Sequence, residues 1–380
     1  METMEPNLAL SMYGRAVEVL TSASSSPPST TSTTSSSLLP QLAHAYERIG
    51  ECLAQNGDVE GAKKAFEEAN KVEETGSRRL LMGQVTGGTD SLGHMKRGIE
   101  LLEGEMAGNN GMEEEGKEAI PVSQLLCQAY CNVADLWMTD LCMDPSAETS
   151  AVSAVESALK YDTGAIPDAL QALANLRLSQ NRGGDAAEAM TEVWKRIGGG
   201  CKAMAEVVGL GDKVVEESAN PMTVEGGAVE VEQDALDEVN KLPGFEFRTQ
   251  TAKLMLESSA FLAANGDPKG IKITLDDAVI QVLGSLLSDN DEVIETWFLL
   301  GCAFHSSPTS KQQARFYFKK ALEMLEKAKK GMEEELEMEG GFDQGGMGEQ
   351  IEDIEIQIDD VKDRIEDLGE EEEGEDMEIN

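Results

Sequence analysis

The side chains in this sequence with the chemistry to act on a partner are carboxylates. Aspartates and glutamates number 72 against 31 lysines and arginines, a formal net charge of −41. Glu47 and Glu51 stand one helical turn apart. Asp135, Asp140 and Asp144 form a second group, Asp291, Glu292 and Glu295 a third, and Gln171 and Asn175 add neutral polar groups. Such rows hold lysine and arginine through charge-assisted hydrogen bonds. Nothing points to an enzyme. The three histidines, His44, His94 and His305, are scattered, and no His-Glu-x-x-His, Gly-x-Ser-x-Gly or paired-cysteine motif occurs. The run GLGDK at 209–213 lacks the Walker spacing and its Lys-Ser/Thr end. Cys127 and Cys131 share a helix face but have no further cysteine or histidine close by, so they read as small buried apolar groups. No catalytic residue, cofactor or metal is expected.

The elements that must carry these acids are helices in pairs. In residues 43–74, Tyr46, Ile49, Gly50 and Leu53 mark one helical face. Asn56-Gly57-Asp58 ends that helix and starts the next, in which Ala62, Phe66 and Ala69 form a second stripe. Small residues let two helices approach and large ones fill the spaces between turns. This pattern resembles a tetratricopeptide (TPR) repeat, whose period is about 34 residues. One unit cannot bury its own apolar face, so others should stack on it.

The same ruler predicts an all-α, TPR-type helical solenoid of about five helix-turn-helix units, with repeats near 43–76, 123–163, 167–200, 245–290 and 294–327. In the second unit the first helix is expected to run to Asp144, because a residue before proline avoids the α region. Residues 8–20 predict one short helix, and the Ser/Thr/Pro tract 21–37 a disordered linker, so that 1–37 stands apart from a solenoid at 38–330. The Gly-rich segments 77–118 and 198–243 read as irregular insertions, with short helices at 78–82 and 92–106 and a loop at 104–116 in the first and partial helix in the second. Residues 331–380 hold 22 acidic and two basic residues, an acidic tail. Within it Ile351, Ile354, Ile358, Val361, Ile365 and Leu368 are spaced as an amphipathic helix over 350–368, either capping the solenoid or pairing with another chain. Residues 370–378 read as a disordered tail.

In a TPR stack the first helix of each pair lines the concave groove, which here would present Glu47, Glu51, Asp135, Asp140, Asp144, Gln171, Asn175, Asp291, Glu292 and Glu295. Glu47 and Glu51 stand where a carboxylate-binding groove would want lysine and asparagine, so an anionic ligand is excluded and a basic one expected. Reversing Glu47, Glu51, Asp135 and Asp140 to lysine should abolish partner binding with helicity intact. The negative charge repels nucleic acid and anionic membrane. The acidic N-terminus, the lack of a long apolar run and six cysteines point to the cytosol or nucleus.

The runs DLWMTDLCMD (135–144), ALKYD (158–162), ALQALANLRLSQNR (169–182), LPGFEFRTQTAKLMLES (242–258) and DEVIETWFLLG (291–301) resemble one family. It is the eukaryotic TPR assembly chaperones dedicated to ribosomal protein L4 of the large subunit. The resemblance spans roughly 120–325; segments 76–118 and 198–241 depart from it. It implies a chaperone that covers the basic, unstructured extension of the newly made ribosomal protein and accompanies it into the nucleus. A monomer is expected, with an import receptor engaged through the client. The acidic groove alone also suits a histone chaperone, and 351–368 a protein–protein scaffold.

Overall fold

The computed structural model describes residues 6–25, 35–108, 120–210, 233–306, 310–338 and 347–369. Among them the regular structure is helical. The chain divides into two compact units, Met1–Ala172 and Leu173–Asn380.

The first unit contains α1 (Pro6–Ser25), α2 (Ser35–Gln55), α3 (Val59–Val72), α4 (Gly76–Gln84), α5 (Gly88–Gly108), α6 (Val122–Met138) and α7 (Ala147–Tyr161), each packed against the next in sequence except α7, which closes on α6. The α2–α3 turn forms as its residues dictate. Gly57 takes a positive φ of 79°, and Asp58 caps α3 by accepting from the Gly61 N–H at 2.9 Å. Gly50 is where the pair closes: a Cβ there would lie 2.6 Å from the Phe66 ring, which is itself fully buried with Ala62 and Met82.

Three expectations need correction in this unit. The segment 77–118 is more regular than expected, because the short helices expected there are the longer, paired α4 and α5; 109–119 lie outside the described residues. Its glycines are points of close contact instead of breakers, and a Cβ at Gly76 would meet Leu102 at 2.5 Å. The Ser/Thr tract is helical at both ends, since α1 runs through Ser25 and α2 starts at Ser35. Serine and threonine cost a helix only a few tenths of a kcal/mol each, about what an anchored helix tolerates. Residues 26–34 are outside the description. Finally, α6 ends at Met138, short of Asp144, and a hydrogen-bonded turn follows in which Leu141 N–H reaches Leu136 O and Asp144 N–H reaches Leu141 O.

The boundary between units falls inside α8 (Asp168–Ser179). The second unit continues with α9 (Gly183–Val207), α10 (Gln233–Val239), α11 (Phe245–Asn265), α12 (Ile271–Asp289), α13 (Ile294–His305), α14 (Lys311–Met338) and α15 (Met347–Asp367). The break expected at residue 198 is absent. α9 passes straight through Gly198–Gly200, and Gly200 gives α10 room: a Cβ there would lie 2.8 Å from the Glu238 carbonyl. Residues 211–232 lie outside the description. α12 packs on α9, α11 and α13, which explains its run of apolar residues; Leu275, Val282, Leu283 and Leu286 are fully buried. Gly301 meets Phe318 as Gly50 meets Phe66.

α15 packs on α14 through Ile358, Val361 and Leu368. Lys329 pairs with Glu355 at 2.7 Å, and the Arg364 guanidinium lies 5.0 Å from the centre of the Phe298 ring. The heptad stripe therefore serves as a cap inside the chain. Residues 370–380 are outside the description.

The glycine contacts carry a prediction. Gly50→Ala and Gly301→Ala should each destabilise by about 1–3 kcal/mol, although alanine favours a helix over glycine by about 1 kcal/mol. Urea unfolding would show it; a rise in midpoint for either variant would contradict the close approach.

Candidate partner-binding site

The predicted acids fall into three groups by the elements that carry them. The first is α2. Glu47 and Glu51 share a face, but both meet bases of this chain. Glu47 Oε2 accepts from Arg78 Nε at 2.6 Å, and the Arg78 side chain is only 8% exposed. The same guanidinium also donates to the Glu73 carbonyl at 2.9 Å and to Glu73 Oε2 at 3.1 Å. Glu51 pairs with Arg48. Burial pushes the Glu51 carboxyl above the usual carboxylate range, against the opposing pull of Arg48. Reversal at Glu47 would therefore act on the fold as well as on a partner, since the carboxylate compensates a buried charge.

The second place is the end of α6. Asp135 is exposed on the helix, whereas Asp140 and Asp144 belong to the turn and not to a first-helix face, which corrects their expected placement. Asp140 Oδ2 accepts from the Gly88 N–H at 2.9 Å, tying the turn to the start of α5. Asp144 Oδ1 accepts from Ser146 N–H at 2.8 Å and Ser146 Oγ at 2.7 Å, bonds that hold its carboxyl below the usual range. Partial burial, then the neighbouring Asp140 charge, raises the Asp135 carboxyl. Among the described residues no lysine or arginine pairs with Asp135, Asp140 or Asp144. Met143, in the same turn, is 91% exposed.

The third place is around the start of α13 in the second unit. Asp291 and Glu292 are exposed, and the Asp291 carbonyl accepts from Trp297 Nε1 at 2.7 Å. Glu295 pairs with Lys253 at 2.7 Å. Asp289, one turn earlier, pairs with the buried Arg248. Gln171 and Asn175 lie on α8, both half-buried. The acids open to a partner are therefore Asp135, Asp140, Asp144, Asp291 and Glu292, a narrower set than residue type suggests.

Two groupings escape sequence reading because each joins residues far apart in the chain. One is Arg248, whose guanidinium fans out to Pro243 O, Ser285 Oγ and Asp289. The run LPGFEFRTQTAKL contains both Pro243 and Arg248, so its demand is architectural. The other joins Glu103, Tyr130 and Tyr161, with both phenols donating to one carboxylate oxygen at 2.9 and 3.1 Å. A surface pocket of ≈ 610 Å3 lies over α3, α4 and α5, lined by Lys63, Glu74, Arg79, His94 and Arg97 among others. Its charges are already matched: Arg97 and Arg79 both hydrogen-bond Glu74 and hold its carboxyl below the usual range.

No group of three or more metal-ligating side chains occurs among the described residues, and no helix there is long and apolar enough to cross a membrane. Burial pushes the Cys201 thiol up to about 11, whereas Cys142 is exposed in the α6–α7 turn. At pH 8 a thiol reagent should label Cys142 first and Cys201 only on unfolding, as mass spectrometry of the peptides would record. Rapid native labelling of Cys201 would contradict its place in the core.

Residues 43–75 match the tetratricopeptide repeat model. The chain is 26% identical to a probable assembly chaperone of rpl4 from Schizosaccharomyces pombe, over 82% of this chain and 84% of that protein. It is 22% identical to a probable assembly chaperone of rpl4 from Emericella nidulans, over 79% of this chain and 61% of that protein. Among solved structures it resembles residues 1–338 of an assembly chaperone of RpL4, Acl4, with 18% identity and a TM-score of 0.48, over 82% of this chain and 99% of that one.

Proposed function

We propose that this protein is a dedicated assembly chaperone of ribosomal protein L4. The observation that carries the reading is the similarity to the Schizosaccharomyces pombe chaperone, which runs along more than four-fifths of both chains. The charge agrees with it. A ribosomal protein destined for RNA presents lysine and arginine, and this chain offers exposed carboxylates at Asp135, Asp140, Asp144, Asp291 and Glu292 with a net charge of −41. Charge-assisted hydrogen bonds to those carboxylates cover the basic extension, keeping it soluble and away from stray nucleic acid. Release needs no nucleotide: ribosomal RNA is a denser polyanion and takes the extension by competition. On this reading the protein works as a monomer without catalysis. It meets its client in the cytoplasm, enters the nucleus with it, and engages an import receptor through the client.

Purification of the tagged protein from its own cells, with mass spectrometry of what accompanies it, tests the reading. Ribosomal protein L4 is the expected partner, and its retention should fall steeply as salt rises from about 0.1 to 0.5 M, where the Debye length drops from about 10 Å to less than half that. Histones in its place would sink the proposal in favour of a histone chaperone. A partner that stays bound in high salt would favour a scaffold.

A further inference from the structure

We propose that Glu103, Tyr130 and Tyr161 anchor one lysine or arginine side chain of the basic partner, an inference that rests on the chaperone reading above. Tyr130 on α6 and Tyr161 at the end of α7 lie with their rings within 7° of parallel and their centroids 5.8 Å apart. Both hydroxyls donate to Oε1 of Glu103 on α5, while Oε2 takes no hydrogen bond among the described residues. All three side chains are half-buried, so part of each stays open to solvent.

What sets Glu103 apart is the kind of partner it has. Several carboxylates that reach across to a different helix meet a base: Glu47 meets Arg78, Glu295 meets Lys253 and Glu355 meets Lys329. Glu103 meets two phenols. Phenol donors orient a carboxylate without neutralising it, so the negative charge stays available. The rings supply the rest, because a cation within about 6 Å of an aromatic face is held by the ring quadrupole. A lysine or arginine whose charge sits over a ring face within reach of Oε2 would satisfy ring and carboxylate together. Asp168 lies on the neighbouring α8, whose Ala169 packs in the same cluster as Tyr130 and Tyr161.

Glu103→Gln tests this, because glutamine keeps an oxygen for both phenols while removing the charge. Affinity for purified ribosomal protein L4, measured by calorimetry at about 0.1 M salt, should fall about tenfold, the loss of one charge-assisted carboxylate contact. Tyr130→Leu should fall similarly, with its thermal midpoint followed to show that it folds. Glu68→Gln removes the same charge from an exposed site on α3 and should bind within about twofold of the wild type. Equal weakening by Glu68→Gln would reduce the effect to net charge and overturn the anchor. So would wild-type affinity in Glu103→Gln. If the wild-type chain itself failed to bind L4, the chaperone reading would fall, and the anchor with it.

Discussion

Glu47→Lys is expected to lower the stability of the first unit by about 3–5 kcal/mol, the usual cost of leaving a buried charge without its partner. Arg78 sits on α4 with its side chain 8% exposed, and Glu47 on α2 is 19% exposed, so water cannot readily replace either. Reversal does more than remove the partner, since it sets an ammonium against the guanidinium. Glu73 remains beside Arg78 and keeps the loss below complete unfolding. Glu51→Lys provides the contrast. Its partner Arg48 is 42% exposed, so that pair is worth about 0–1 kcal/mol. Urea unfolding followed by circular dichroism should separate the two variants clearly. Equal midpoints would mean that Arg78 finds other compensation and that the buried pair does not hold α2 to α4. The result also decides how binding variants are built: charge reversals meant to probe a partner belong at Asp135, which meets no base, and not at Glu47.

The helix pairs were legible because their signal is local. Gly50 with Phe66 and Gly301 with Phe318 repeat one small–large contact inside a span of under twenty residues, and spacing alone reveals it. Gly76 and Gly200 misled for the opposite reason. A glycine at a close helix contact and a glycine that ends a helix look the same in sequence; only the neighbour, Leu102 in one case and Glu238 in the other, tells them apart. The site was half legible on similar grounds. Residue type and helical phase put Glu47, Glu51 and Glu295 on the right helices. Their neutralising partners, Arg78, Arg48 and Lys253, could not all be assigned, since Arg78 and Lys253 come from other helices. The Asp140 bond to Gly88 and the turn it ties down were invisible for the same reason, so Pro145 alone set the expected end of α6. The two runs that bare repeat geometry does not demand, WMTDLCMD and LPGFEFRTQTAKL, supply those long-range ties.

Arg248→Ala should cost the second unit about 3–5 kcal/mol, the range for breaking a buried charged network. The side chain is 4% exposed and works in three directions. Nε donates to the Pro243 carbonyl at 3.0 Å, Nη1 to Ser285 Oγ at 2.8 Å, and Nη2 to Asp289. It therefore joins the turn before α11 to the last two turns of α12. Removal leaves a cavity as well as a carbonyl with no donor. Arg248→Lys is the informative companion. Lysine keeps the charge but not the planar fork, so it can reach Asp289 or Pro243 but not hold all three. Its loss should fall between wild type and alanine. Asp289→Asn should cost least, because the Asp289 side chain is 38% exposed and the guanidinium keeps its two inner acceptors. The order Ala, Lys, Asn in decreasing damage follows from geometry; a charge-only account would instead make Lys harmless and Asn costly. Hydrogen exchange at the α11 N-terminus gives an independent reading. Arg248 N–H bonds to the Gly244 carbonyl in the first turn of that helix, and freeing Pro243 should let the turn fray. Unchanged protection there in Arg248→Ala would show that the arginine stabilises α12 alone.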